Sequence, residues 1–328
     1  MKKTAIVILN WNGQKLLEEF LPSVVRFSSE ANIYVADNAS SDTSVDFIKK
    51  TFPSVKIIQN TENFGFAKGY NQALRFVEEE YYALVNSDIE VTENWLTPIM
   101  ELFDQEPETA ILQPKILDYK NKQWFEYAGA GGGFIDQYAF PFCRGRIFQT
   151  LEKDNGQYND TTDIFWASGA CFFIRKDVYR KLGGFDEDFF AHQEEIDLCW
   201  RAFNQGLKVK YCGKSTVYHV GGATLKETNP HKTFLNFRNS LWMMLKNLPR
   251  KRLFPVLFIR LSQDGLAGIK FVFEGKFAHT WAILRSHFSF YLNLFKFLSK
   301  RESNQYDNYY KIKSITYRYF VKKGKVFE

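Results

Sequence analysis

Four short apolar runs, Thr4 to Leu9, Ile33 to Ala36, Val55 to Gln59 and Tyr82 to Asn86, alternate with stretches that carry apolar residues at helical spacing, Leu16 to Arg26, Thr43 to Thr51 and Ala67 to Glu79. This βαβ rhythm constrains the chain more than any other feature, because it predicts an α/β domain built on a mostly parallel sheet flanked by helices. In such sheets ligands gather beyond the carboxyl ends of the strands. The residues that follow the four runs, Asn10 to Gly13, Asp37 to Ser41, Asn60 to Gly65 and Asn86 to Glu90, are all polar or glycine-rich, and a binding site is expected there.

From Gln113 to Ser168 the pattern loosens around Gly129, Gly131, Gly132 and Gly133, and an irregular, mobile region near a second ligand is expected. Order returns at Ala167 to Phe190, in a helix over Gln193 to Gln205, in a strand over Lys208 to Cys212 and in Ser215 to Gly221. Beyond Pro230 the chain turns basic and aromatic, as in FLNFRNSLWMMLKNLPRKRLFPVLFIR, which suits amphipathic helices that pack together or lie on an anionic membrane surface. The expected division is therefore residues 1–228 as the α/β domain and residues 229–328 as a C-terminal helical appendage.

With 328 residues, 45% of them hydrophobic, the chain is long enough for one large core plus such an appendage. Its net charge of +6 suits anionic partners, nucleotide diphosphates and acidic phospholipids as well as nucleic acid, and charge alone does not choose among them; with the motifs below, no nucleic acid partner is expected. The four cysteines, Cys143, Cys171, Cys199 and Cys212, include no C-x-x-C pair and are expected as buried free thiols in a reducing cytoplasm. Lys2 and Lys3 precede an apolar run of only Ala5 to Leu9, which fits a buried first strand better than a signal peptide. Arg260, Asp264, Lys270 and Glu274 interrupt the most apolar C-terminal stretch, so no spanning helix is expected.

Several carboxylates stand where chemistry is possible. Asp88 and Glu90 in LVNSDIEV are two apart, so on an extended backbone both would point the same way and share one hard cation, Mg²⁺ or Mn²⁺. A solvated acidic turn is the plainer alternative. Glu194, Glu195 and Asp197 in HQEEIDLCWR crowd the start of a helix, either as partners of its dipole or with a proton affinity raised toward that of a general base. His219 in VYHVGGAT is a metal ligand or a structural histidine. Asp37 in VADNASSDTS either accepts a hydrogen bond from a nucleotide or closes an Asx turn with its neighbours. In NFGFAKGYNQAL, Gly65 and Gly69 allow close approach of a ligand and Lys68 offers a positive charge, without a G-x-G-x-x-G dinucleotide fingerprint.

In order, these segments resemble family 2 glycosyltransferases, in particular rhamnosyltransferase-like members that build cell-surface polysaccharide; the likeness runs from Thr4 to Thr224. ILNWNG, with Asn10 and Asn12, resembles the opening strand and nucleotide-binding turn, and ADNASSD the second strand with Asp37 against the base. NFGFAKGYNQAL, with Asn63, Gly65, Lys68 and Asn71, resembles the glycine-rich segment, and NSDIEV, with Ser87, Asp88 and Glu90, the metal-binding D-x-D. WASGACFFIRKDVYRKLGGFDEDFF resembles the acceptor side, with Gly169, Ala170 and Asp186, and HQEEIDLCWR the region of the catalytic base. Two departures lengthen a side chain: Glu90 stands where aspartate is usual, and Glu194–Glu195 replaces a Glu-Asp pair.

The resemblance implies a GT-A fold and an inverting glycosyltransferase that uses Mg²⁺ or Mn²⁺. Asp88, Glu90 and His219 would form the metal or diphosphate site, Glu195 would be the base with Glu194 as the alternative, and Asp197 would join the acceptor side. The donor would be a nucleotide diphosphate-sugar, dTDP-rhamnose or a UDP-hexose, and the acceptor a saccharide or lipid-linked saccharide at the inner face of the cytoplasmic membrane. Two rival readings remain open at this point: a nucleotidyltransferase, for which ILNWNGQKLL is a poor phosphate loop, and a non-catalytic nucleotide-sugar scaffold docked on a membrane.

Overall fold

The computed structural model describes residues 2–221 and 229–327; Thr224 and the boundary expected at residue 228 lie outside the described residues. The first half runs β1 (Thr4–Asn10), α1 (Gln14–Phe27), β2 (Ala31–Asp37), α2 (Ser44–Thr51), β3 (Lys56–Gln59), α3 (Gly65–Ala73), β4 (Tyr81–Asn86), β5 (Ile89–Val91), α4 (Thr97–Gln105) and β6 (Thr109–Asp118). Next come four short strands, β7 (Gly133–Ile135), β8 (Pro141–Cys143), β9 (Arg146–Ile147) and β10 (Thr150–Leu151), then β11 (Thr161–Ile164), β12 (Cys171–Arg175), α5 (Lys176–Lys181), α6 (Glu194–Asn204) and β13 (Lys208–His219). The C-terminal part is helical: α7 (Pro230–Asn247), α8 (Arg250–Phe273), α9 (Phe277–Leu292) and α10 (Leu294–Ser299).

The main sheet is ordered β11-β13-β6-β12-β4-β1-β2-β3, with β5 paired to β13. Strands β4, β1, β2 and β3 are parallel, so their carboxyl ends finish side by side. Strand β12 enters antiparallel between β4 and β6, which places Ala170 and Gly169 next to the end of β4. Every residue of β1 but one is buried, because helices cover both faces of the sheet. Ile6, Ile8, Val35 and Val85 meet Leu17, Leu21 and Val24 of α1 on one face. Val7, Ala36 and Leu84 meet Ala67 and Tyr70 of α3 on the other. Each such aliphatic side chain removed from water contributes about 1.5–3 kcal/mol.

Three differences from the sequence expectations have physical reasons. The loosened stretch holds a four-stranded sheet, β10-β9-β8-β7, whose strands of two or three residues are too short to show a period. The two segments expected around residues 208–221 are one strand, β13, with a register shift between Cys212 and Thr216. The third helix stops at Ala73 and ends in a tight turn over Leu74–Phe76.

The C-terminal helices share the core of the α/β part. Trp242 of α7 stacks on Phe297 of α10 at 4.2 Å and packs edge-on against Phe189. Lys246 is buried between Asp186 and Asp197, at 2.7 and 2.8 Å.

Candidate active site

The strand ends draw the expected nucleotide residues together. At the end of β1 the Asn10 amide donates to Asp37 Oδ1 at 3.0 Å and to Ser40 Oγ at 3.2 Å. Asp37 in turn accepts from the backbone and hydroxyl of Ser40, and Oδ2 keeps an acceptor position spare. Asn12 adopts a left-handed backbone and accepts from the Ser41 and Asp42 N–H groups, clamping the first strand-end loop to the second. Asn10 Oδ1 is buried with no protein partner. Ser87 closes this corner, since a Cβ on Gly13 would come within 3.9 Å of its Oγ and 2.5 Å of Asn10 Oδ1. Trp11, between the two asparagines, leaves its ring 53% exposed at this mouth. The sequence reading passed it over, although an apolar ring in a polar strand-end loop was the available signal.

The glycine-rich segment serves partly as framework. Asn63 caps the Gly65 N–H at 3.0 Å, and Gly65 needs its φ of 72° and its bare Cα because any Cβ would strike the Phe190 ring. Lys68 lies at the rim, its Nζ 4.1 Å from the Phe64 ring centroid. Asn71 is a correction: both ends of its amide are engaged by the Phe185 backbone, at 2.9 and 3.0 Å, with the Tyr179 hydroxyl at 2.6 Å, so it stitches α3 to the loop before α6 instead of facing a nucleotide.

After β4 the chain turns at Ser87–Asp88, so Asp88 and Glu90 are not on one extended backbone as the spacing predicted. Glu90 pairs with Lys122, and among the described residues no three His, Cys, Asp or Glu side chains form a metal cage. What remains is Asp88 Oδ1 at 3.2 Å from His219 Nε2, with Glu126 Oε1 at 3.4 Å from Nδ1. Burial pushes the Asp88 carboxyl up, but the hydrogen bond and charge of His219 outweigh it and hold Asp88 below the ordinary carboxylate range. Burial alone would strip the proton from His219, yet Glu126 and Asp88 drive it up to about 10. A divalent cation that displaced the His219 proton would meet one carboxylate oxygen and one imidazole nitrogen, the latter backed by a carboxylate on its far side, and would take its other ligands from phosphate and water. Glu126 was missed because it lies in the stretch without periodicity.

A second acidic site stands against β12. Gly169 presents its N–H to the Glu195 carboxylate, and a Cβ on Gly169 would lie 3.6 Å from that carboxyl carbon. Ala170 accepts from the Asn86 N–H at 2.9 Å, so Glu195 stands beside the end of β4. Burial raises Glu195 to about 7 against the pull of backbone N–H groups, and it raises Glu194 well above the carboxylate range, with repulsion from Glu195 adding to it. His192 Nε2, Gln193 Oε1, Glu194 Oε2 and Glu195 Oε2 are all buried without a protein partner. Four consecutive residues thus carry buried hydrogen-bonding capacity that no protein group takes up.

The backbone leading into this helix is held from outside. Phe190, His192 and Gln193 have φ of 62°, 71° and 74°, a conformation that costs about 1–3 kcal/mol per non-glycine residue. The buried Asn239 amide of α7 donates to the carbonyls of Phe189, Ala191 and His192 at 3.0, 2.9 and 2.8 Å, while its own oxygen accepts from Arg238 Nε. Asp186 and Asp197 are corrections on the acceptor side. Asp197 is fully buried among Arg201, Lys246 and Asn247, and Asp186 is bound by Lys246 and Lys300, so both tie the C-terminal helices down and neither faces an acceptor.

A mostly parallel sheet flanked by helices, its strands ending side by side in polar turns with a buried acidic helix start beside them, is of the GT-A kind. The glycosyl transferase family 2 profile matches residues 5–183, and the chain belongs to that family. It is 23% identical to the low-salt glycan biosynthesis hexosyltransferase Agl10 of Haloferax volcanii, over 72% of this chain and 73% of that protein. It is 21% identical to the N-acetylglucosaminyl-diphospho-decaprenol L-rhamnosyltransferase of Mycobacterium tuberculosis, over 72% of this chain and 85% of that one. Among solved structures, GalNAc-T7 with UDP, GalNAc and Mn²⁺ superposes with a TM-score of 0.59 at 15% identity, over 76% of this chain but only 49% of its own. The mannosyltransferase PcManGT from Pyrobaculum calidifontis, in complex with GDP-Man and Mn²⁺, gives 0.54 at 13% identity over 89% and 87%.

Proposed function

We propose that the chain moves a sugar from a nucleotide diphosphate-sugar, dTDP-rhamnose or a UDP-hexose, onto a hydroxyl of a saccharide carried on a lipid, at the inner face of the cytoplasmic membrane. Residues 1–228 carry the chemistry and residues 229–328 form a helical appendage. The observation that carries the reading is Glu195, a carboxylate raised to about 7 with an orphaned oxygen, standing beside the strand end that leads into Asp88. The relatives named for lipid-linked rhamnosyl transfer and hexosyl transfer support the donor and acceptor classes.

In this reading Asn10, Asn12, Asp37 and Ser87 shape the nucleotide corner and the exposed Trp11 ring lies against the base. Asp88 and His219, the latter deprotonated, would hold Mg²⁺ or Mn²⁺, and the bound ion would supply positive charge to the diphosphate. Glu195 takes the proton of the acceptor hydroxyl, and that oxygen attacks the anomeric carbon from the side opposite the diphosphate. One C–O bond forms as the bond to the diphosphate breaks, so the configuration inverts. Gly169 and Ala170, with no bulk beyond a methyl, leave room for the acceptor between Glu195 and the strand end.

The test is incubation of the protein with single nucleotide sugars, a polyprenyl-linked saccharide and Mn²⁺. Release of the nucleoside diphosphate that requires both acceptor and metal is expected. Release of pyrophosphate would mark a nucleotidyltransferase, and no turnover with any donor would favour a scaffold.

A further inference from the structure

Helices α8 and α9 turn back on one another through Gly275 and carry two apolar faces each. The inner faces are accounted for: Leu253, Val256 and Leu257 of α8 and Ala282, Ile283 and Phe290 of α9 are buried. The outer faces are not. Phe254 is 79% and Phe258 72% exposed, four residues apart on α8. Trp281, Leu284 and Phe288 continue the pattern on α9 at steps of three and four, and Phe295 of α10, one more double turn along, is 82% exposed. Apolar residues at that spacing form a continuous stripe on a helix, and a stripe of this size left open to water marks an interface.

The charge around it selects the occupant. Residues 250–296 contain eight Lys or Arg and two acids, a surplus equal to the +6 of the whole chain, so the remainder is balanced. Of the two acids, Asp264 is buried against Arg260 and Glu274 is paired with Lys276. A second copy would bring the same positive field and be repelled, whereas an acidic bilayer surface is complementary to it. No described helix is long and apolar enough to cross a membrane. An amphipathic hairpin with aromatic residues outward and basic residues around them lies in the plane of the interface, its apolar face about 5–10 Å deep.

We infer that the outer face of the α8–α9 hairpin, extended by Phe295, is a docking surface for a bilayer with anionic headgroups. It gives a concrete surface to the membrane setting proposed above, yet it is carried by these helices alone, so vesicle binding and sugar transfer succeed or fail separately.

The test is flotation of the full chain with phosphatidylcholine vesicles, with and without phosphatidylglycerol. Binding to the phosphatidylglycerol vesicles that weakens with salt is expected. Phe258→Ser combined with Phe288→Ser, both on the open face, should lower the bound fraction about tenfold or more while leaving circular dichroism and nucleotide binding unchanged. Lys251→Glu combined with Lys270→Glu should lose only the preference for anionic lipid. A wild-type chain that stays unbound, or serine variants that float like wild type, would overturn the inference. Dimerisation in sedimentation velocity that the serine variants abolish, without vesicle binding, would reassign the face to a second copy.

Discussion

Asp88 follows the end of β4 and Glu195 opens α6 beside that same strand end, and the surroundings of the two carboxylates drive them in opposite directions. Asp88 is buried but hydrogen-bonds with His219, which holds it below the ordinary carboxylate range. Glu195 is buried beside another carboxylate and meets only backbone N–H groups, so its proton affinity rises to about 7. Burial is common to both; the sign of the partner decides the outcome. A carboxylate kept charged suits a cation, and one poised near neutrality suits proton transfer.

The comparison breaks first at Glu195. Glu195→Gln should lower transfer by about 10²–10⁴-fold, the usual worth of a general base, with donor binding retained. In the wild-type enzyme kcat should climb with pH through about 7, because the active form of Glu195 is the deprotonated one, and the climb should vanish in the variant. A profile that is flat across that range in wild type would remove Glu195 as the base.

A smaller effect tests how the raised carboxylate is held. Asn239 touches no reacting atom but bonds three carbonyls of the left-handed segment before α6. Asn239→Ala leaves those acceptors without their donor, at about 1–3 kcal/mol. It should lower kcat by about tenfold and move the inflection in the pH profile, with KM for the donor little changed. A loss of stability with an unmoved inflection would make Asn239 framework only. The smallest effect belongs to Glu90: Glu90→Gln should leave the metal requirement as it was, since Glu90 is engaged by Lys122.

Much of the donor side was legible in the sequence because apolar runs ending in Asn10, Asp37 and Asn86 fix where a parallel sheet stops, and a polar strand end is a local signal. Glu90 was misplaced because the turn at Ser87–Asp88 breaks the extended spacing that would align the two carboxylates. Asp186 and Asp197 were misplaced for a different reason. Their partners Lys246 and Lys300 follow 49 to 114 residues later, and pairing at that separation leaves no mark on the local pattern. Glu126 was silent because its stretch shows no period, and only the fold brings it behind His219. The antiparallel entry of β12 between β4 and β6 was equally silent, since a strand with four apolar residues in a row fits either direction.

The central claim, that one carboxylate serves the metal and the other the proton, is tested most directly by calorimetric titration of nucleoside diphosphates, with and without Mn²⁺, into wild type, Asp88→Asn and Glu195→Gln. The account predicts Mn²⁺-dependent binding in wild type and in Glu195→Gln, and its loss in Asp88→Asn. Binding that ignores Mn²⁺, or that survives in Asp88→Asn and fails in Glu195→Gln, would contradict it.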